Sequence, residues 1–444
     1  MPNIRRLVDS SDPFILRSLE LLMGPTSDFA TKKFVGLLNS NREKSSEIVD
    51  LALKVVDGSV IPITRTNFDD PSFKHAFERV FPGLSILARI LTCFKQSRSS
   101  DVQNLEAQLY PRIIESWSKV AGWLMRLAIN ASQSPNAQDI LGLCSEILDG
   151  VAHNASRDSN KLELLSLPIT AHAVFLLLSQ SPSSQQGRYI FVIGGSGECN
   201  IIQVFSSFVS TEVGRQNFIL TLNSSNRKTR QRIIASLIER SSQMVAFPTG
   251  LGISRVSTIQ GLSRLINGVS CLLEDDDILY SLSRLNFIQK YAASYASIAE
   301  EASRDRDRDP EFWNLLSLST VTFLQELILK HAKNPYRSLV HALDGHLFPC
   351  VELCLLNLES HKIIEDVLDR FCAEVSKYFT SSETCRAWAL SSQPHRRQEK
   401  LSQRYPGERY SIMAGFWNSL QDGLQLSKTD RLCPEPILNK CAFD

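Results

Sequence analysis

About fifteen amphipathic segments follow one another along this chain, and little else competes with them. Serial helices that each hide one apolar face limit what a chain can fold into. The clearest segment covers residues 101–131. There Val102, Leu105, Leu109, Ile113, Trp117, Val120 and Leu124 recur at steps of three or four, which lines one side of a 3.6-residue helix. Glycine supports the same reading: 20 in 444 residues is a low share, and turn-rich all-β folds use more.

Punctuation places the other helices. Asp12 and Pro13 open a first helix ending at Met23, with the aspartate as N-cap and the proline in the first turn. A second is capped by Thr26 or Ser27 and runs to Leu38, and a third covers 42–56. Residues 58–70 read as an extended connection. Helices are expected over 71–96, 101–131, 137–154 and 161–180, followed by a Ser/Gln/Pro-rich loop at 179–187. Further helices are expected over 200–209, 225–243, 254–273, 279–303, 310–334, 336–358, 363–379 and 410–424.

Helix pairs recur at roughly forty residues, the period of armadillo and HEAT units. No repeating residue signature accompanies them. A chain of 444 residues exceeds the usual single core, and amphipathic pairs that bury their faces against neighbours grow along one axis. The expected fold is therefore all-α, an armadillo/HEAT-like α-solenoid or superhelical bundle of about fifteen helices. Residues 1–187 form an N-terminal helical region, 188–425 a C-terminal one continuous with it, and 426–444 an irregular tail.

Charge and cysteine usage narrow the function classes. With 48 basic and 47 acidic residues the net charge is +1, which gives no basic excess for nucleic acid. The short cluster of Arg227, Lys228, Arg230 and Arg232 reads as a solvated helix face, and His395, Arg396 and Arg397 form another short basic run. Residues 1–23 lack the uninterrupted apolar core of a secretory signal. The longest uncharged apolar stretch, 164–178, contains Pro168 and His172 and is too short for a bilayer. Ten scattered cysteines, several in apolar contexts such as Cys144, fit a reducing intracellular compartment, cytoplasmic or nuclear. No membrane and no direct nucleic-acid contact are expected.

Four constellations invite chemistry. Gly194, Gly195 and Gly197 follow a short apolar run and precede a helix, imitating a dinucleotide loop. Asn200 stands where a glycine or alanine belongs, helices rather than strands surround it, and Glu198 spoils a nucleophile elbow at Ser196. The loop reads as an interhelical turn. His346, Cys350 and Cys354 would share one face of a continuous helix, but its ends lie about 12 Å apart, too far for one ion. That row reads as core. Glu274, Asp275, Asp276 and Asp277 read as caps for a helix from Ile278. His153 and His172 lie on apolar helices without a nucleophile motif.

The tail differs in character. Cys433 and Cys441 bracket a loop with two prolines, and two cysteines alone do not close a zinc tetrahedron. They are the weak metal candidates of this chain; no catalytic or cofactor-binding residue is assigned. The helix carrying Phe416, Trp417, Asn418, Ser419 and Leu420, the Leu432–Cys433 to Cys441 step, and the helix-pair texture of 201–243 resemble the long helical regions of fungal proteins with a C-terminal MYND-type zinc finger. The resemblance covers most of the chain through texture and order. It implies an armadillo-like region used for protein contacts, with a finger placed beyond Asp444 or lost, so zinc enters only if a finger lies downstream.

Three functions follow as expectations. The first is a non-catalytic scaffold binding other proteins. The second is a finger-dependent transcriptional or chromatin adaptor truncated before its finger. The third is an enzyme or small-molecule binder with an interhelical pocket near His153, His172 or the Gly194–Gly197 loop.

Overall fold

The computed structural model describes residues 42–58, 61, 70–96, 100–131, 133–134, 136–155, 161–181, 189–194, 197–246, 254–305, 309–330 and 334–358. The chain is an all-α protein of about fifteen helices, and among the described residues no strand occurs. The expected helices over 12–38, 363–379 and 410–424 lie outside the described residues, as do Cys433 and Cys441.

Two compact units divide the chain, one reaching Arg240 and adding Asn267–Asp275, the other holding the rest. The first unit contains α1 (Arg42–Asp57), α2 (Pro71–Gln96), α3 (Ser100–Ala131), α4 (Ala137–Ala155), α5 (Glu163–Ser166), α6 (Pro168–Ser179), α7 (Asn200–Val209), α8 (Glu212–Ser224) and most of α9 (Arg227–Ala246). Its packing alternates. α1 lies on α3, α3 on α6 and α6 on α8, while α2 lies on α4 and α4 on α7. In the second row α4 comes close to α2 at Gly150. A β-carbon there would sit 2.6 Å from that of Leu91 on α2, so only glycine lets the two helices meet at this distance.

The apolar stripe of α3 is buried along its length, Trp117 and Trp123 included. Burial obliges polar atoms to find partners. The indole N–H of Trp117 donates to the Thr170 hydroxyl at 2.8 Å, which in turn donates to the Leu164 carbonyl at 2.7 Å. Pro168 has no N–H and divides the expected 161–180 helix into α5 and α6. Asn217 of α8 answers the break by donating its side-chain amide to the carbonyls of Leu165 (2.7 Å) and Leu167 (2.9 Å). α8 itself escapes the sequence reading, because Gly214, Arg215, Gln216 and Asn217 interrupt its apolar pattern.

Arg240 is the largest charged group buried in this unit, with no exposed surface. Its guanidinium donates to the carbonyls of Leu178 (2.9 and 3.1 Å), Leu177 (3.2 Å) and Ile190 (3.0 Å). It thereby occupies the C-terminal end of α6, where carbonyls lack helical partners and partial negative charge collects. The rings of Tyr189 and Phe191 flank it at 5.3 and 5.6 Å. Burial pushes the guanidinium pKa down, while the nearby Cys199 and Tyr189 oppose the shift.

The second unit contains the rest of α9, most of α10 (Arg255–Ser270), α11 (Asp276–Ser283), α12 (Phe287–Arg304), α13 (Pro310–Phe323), a π-helical segment at Leu324–Lys330, α14 (Pro335–Asp344) and α15 (Leu347–Asn357). α12 is its centre, touching α11, α13, α14 and α15. Tyr291, Tyr295, Trp313 and Phe323 fill the core. The helix expected over 279–303 breaks at Asn286 and that over 336–358 at His346, both left-handed (φ 53° and 60°). Helical periodicity continues across each break, so apolar spacing does not reveal it. Among the described residues no single helix is long and apolar enough to cross a membrane. α14 and α15 reach that length only together and are bent by 72°.

Candidate functional site

Backbone hydrogen bonds tie together the two ends of the glycine loop. Ile193 and Cys199 form an isolated antiparallel bridge. The N–H of Gly194 donates to Glu198, that of Gly197 to Gly194 and that of Asn200 to Val192, at 2.9, 2.9 and 2.8 Å. Gly197 takes a positive φ of 76°. Three amides that a dinucleotide site would point at pyrophosphate are thus engaged within the turn itself. A β-carbon on Gly194 would fall 2.1 Å from Oδ1 of Asn200. The asparagine folds over the glycine in the space a side chain would need.

This turn walls a cavity of about 410 Å3 in the first unit. Ser85 and Arg89, four apart on α2, face Asp139, Gly142 and Glu146 on α4, the spacing that puts residues on one helix face. Gln138 and Asn200 add amide groups. Counting Asp139, Glu146 and Arg89, the lining carries one net negative charge. Burial raises the Glu146 carboxyl pKa, Arg89 lowers it and Asp149 raises it further. Asp149 itself is held by Lys95 of α2 at 2.5 Å and by the hydroxyl of Ser207 of α7 at 3.1 Å. The cavity offers a hydroxyl and opposite charges for polar recognition. Its lining includes no histidine.

The elevated carboxyl makes a testable contribution to stability. A carboxyl whose folded pKa is raised supports the fold below its unfolded pKa and loses that support as pH rises through the folded value. Glu146→Gln is therefore expected to raise the melting temperature at about pH 8 and to change it little near pH 4. A fall at the higher pH would mean that pairing with Arg89 outweighs burial.

The other sequence candidates separate. His346 is exposed in the break before α15, while Cys350 and Cys354 are buried inside it, so the three share no helix face. Cys354 and burial push the Cys350 thiol pKa well up. Cys93 and Cys144 are buried too, each thiol raised to about 12 by desolvation. Such thiols are poor ligands and nucleophiles. Among the described residues no group of three metal-ligating side chains converges.

Asp276 and Asp277 occupy the first turn of α11, where carboxylates suit the helix dipole. Asp275 accepts from the Asn223 amide at 3.1 Å, and Glu274 lies 3.8 Å from Arg215. In the basic cluster, Arg230 and Arg232 donate to the carbonyls of Asn223 and Ser179, and Arg227 and Lys228 are exposed. His172 is exposed and its Nδ1 meets the Pro168 carbonyl at 2.8 Å, while His153 is half-buried on α4. Arg89 and Glu146 were not singled out from sequence. The available signal was a charge set inside an apolar helical run, as in LARILTCF and LCSEILDG. No protein family, curated protein or solved structure matches this chain.

Proposed function

We propose that this protein is a non-catalytic helical-repeat scaffold, an armadillo- or HEAT-like solenoid that binds other proteins inside the cell. The alternating contacts of the first unit carry the reading: α1, α3, α6 and α8 form one series and α2, α4 and α7 another. Each added pair then covers its predecessor, which is how solenoids accumulate surface for partners. Large apolar side chains stand exposed along the helices, Leu220 at 70% and Leu318 at 52%. The resemblance to the helical regions of MYND-finger proteins points the same way and suggests an adaptor role. The test is affinity capture of the full chain from native extract, with Leu220→Asp and Leu318→Asp alongside. One stoichiometric partner is expected with the parent chain and is lost with at least one variant, both variants keeping the parental circular dichroism. Absence of any stoichiometric partner, or equal capture by all three chains, overturns the proposal.

The same preparations address zinc. Elemental mass spectrometry of the full chain is expected to find none at stoichiometric level, because two cysteines alone, Cys433 and Cys441, do not close a zinc tetrahedron. One zinc per chain would instead point to Cys433 and Cys441 as part of a metal site. A second reading, a polar small-molecule binder, is favoured by the cavity between Arg89, Asp139 and Glu146. A metabolite that raises the melting temperature, with the rise abolished by Arg89→Gln, would support that reading over the scaffold.

A further inference from the structure

A second cavity, of about 340 Å3, lies wholly within the second unit, between α11, the start of α12, the π-helical segment and α14. Small-molecule sites span roughly 300–1,000 Å3, so this one suits a compact ligand. Its two ends differ in chemistry. Phe287 and Leu327, 2% and 1% exposed, give it an apolar floor. Arg284 and Arg337 line it as well, and both are exposed to solvent.

Neither guanidinium has an ion pair among the described residues. Arg284 lies over the ring of Tyr280 at 5.9 Å, and that ring is 65% exposed. Asp276 is the carboxylate in the lining, which leaves two positive charges against one negative. His341 lines the cavity too; burial and then Arg337 push its pKa down, while Asp344 raises it. At neutral pH it offers a hydrogen bond and little charge. The π-helical wall carries Leu327 into the floor, and π turns recur at functional sites.

We propose that this cavity binds an apolar carboxylate, whose hydrocarbon or aromatic body rests on Phe287 and Leu327 while Arg284 and Arg337 hold the carboxylate. Guanidinium forks match a carboxylate in two parallel hydrogen bonds. The apolar floor selects against small hydrated anions such as phosphate, which would leave it unfilled. Two sources share this chemistry, a free carboxylic acid and the carboxyl end of an apolar polypeptide. The proposal stands apart from the scaffold reading, since the free acid requires no protein partner.

Calorimetric titration of the full chain tests it. The probes are hydrocinnamate, hydrocinnamide, and a short peptide ending in Leu-Phe with a free or an amidated carboxyl terminus. At least one acid is expected to bind with a Kd below about 1 mM and its amide about tenfold more weakly. Arg284→Gln and Arg337→Gln should each weaken the acid at least about fivefold without shifting the unfolding midpoint, because both side chains are exposed. Tighter binding of hydrocinnamate assigns the site to free acids, and tighter binding of the peptide assigns it to a polypeptide end. Equal binding of acids and amides, no binding of either acid at about 5 mM, or folded arginine variants that bind as the parent overturns the proposal.

Discussion

Arg240→Met is expected to destabilise the first unit by about 3 kcal/mol or more, read as a lower midpoint in urea with an unchanged slope. The guanidinium serves the carbonyls of Leu177, Leu178 and Ile190 in a site without solvent. Methionine fills much of the same volume and offers no donor. Each buried carbonyl left unpaired costs about 1–3 kcal/mol. Against that stands the relief of no longer burying a charge, the effect that pushes the Arg240 pKa down. The carbonyls of Leu178 and Ile190 left without a donor, with that of Leu177 keeping only a long bond from the Gln180 N–H, outweigh the relief, because the end of α6 concentrates negative potential. Arg240→Lys should also fall short of the parent. An ammonium keeps the charge but is compact, and it lacks the planar fork that spans carbonyls on two sides and lies between the rings of Tyr189 and Phe191. A cost below about 1 kcal/mol for methionine would mean that desolvation nearly cancels the hydrogen bonds.

The sequence announces neither the role of Arg240 nor its surroundings. In RIIASLIERSSQ it looks like one more polar residue on an amphipathic helix, and the carbonyls it serves lie some fifty to sixty positions earlier. Periodicity reports which residues face inward along one helix; it does not report what a long side chain meets there. The same limit explains the helix boundaries. Residues 71–96 and 200–209 have the expected ends because Pro71 starts one helix and the Gly-rich turn precedes the other. The breaks end on left-handed residues that are neither glycine nor proline, Asn286 and His346; Gly345, which closes α14, stands beside the second, yet the apolar rhythm runs straight through both.

That difference matters for sites as well. The expected row of His346, Cys350 and Cys354 depends on one unbroken helix, and a left-handed residue at His346 removes its first member. Conversely, the cavity beside Gly194 was legible in part. The glycines mark a close approach, although what approaches is the side chain of Asn200. The charged lining from Arg89 and Glu146 needs the pairing of α2 with α4, which no local pattern states.

Lys161 presents the opposite case, a charge set among polar neighbours in the sequence and buried in the fold. In RDSNKLEL it sits among polar residues just ahead of α5. Its ammonium nevertheless lies 2.6 Å from the Glu106 carboxylate of α3, with both side chains only 10% exposed. It also stands 5.2 Å from the centre of the Tyr110 ring, one turn further along α3. Lys161→Met is expected to cost about 3–5 kcal/mol, because the carboxylate remains buried after its partner has gone. Glu106→Leu should cost a similar amount by stranding the ammonium. Combining the two removes both charges and replaces them with apolar volume, and buried pairs exchanged in this way are often neutral. The double variant should therefore recover most of the stability lost by either single change, which for single losses of about 3–5 kcal/mol means a coupling energy of about 5 kcal/mol or more in urea unfolding. Additive losses would show that the pair behaves as though solvated, and its contribution would then fall to the few tenths of a kcal/mol typical of surface ion pairs. Strong coupling would instead make Lys161 the residue that fixes the approach to α5 against α3, a role its local sequence does not disclose.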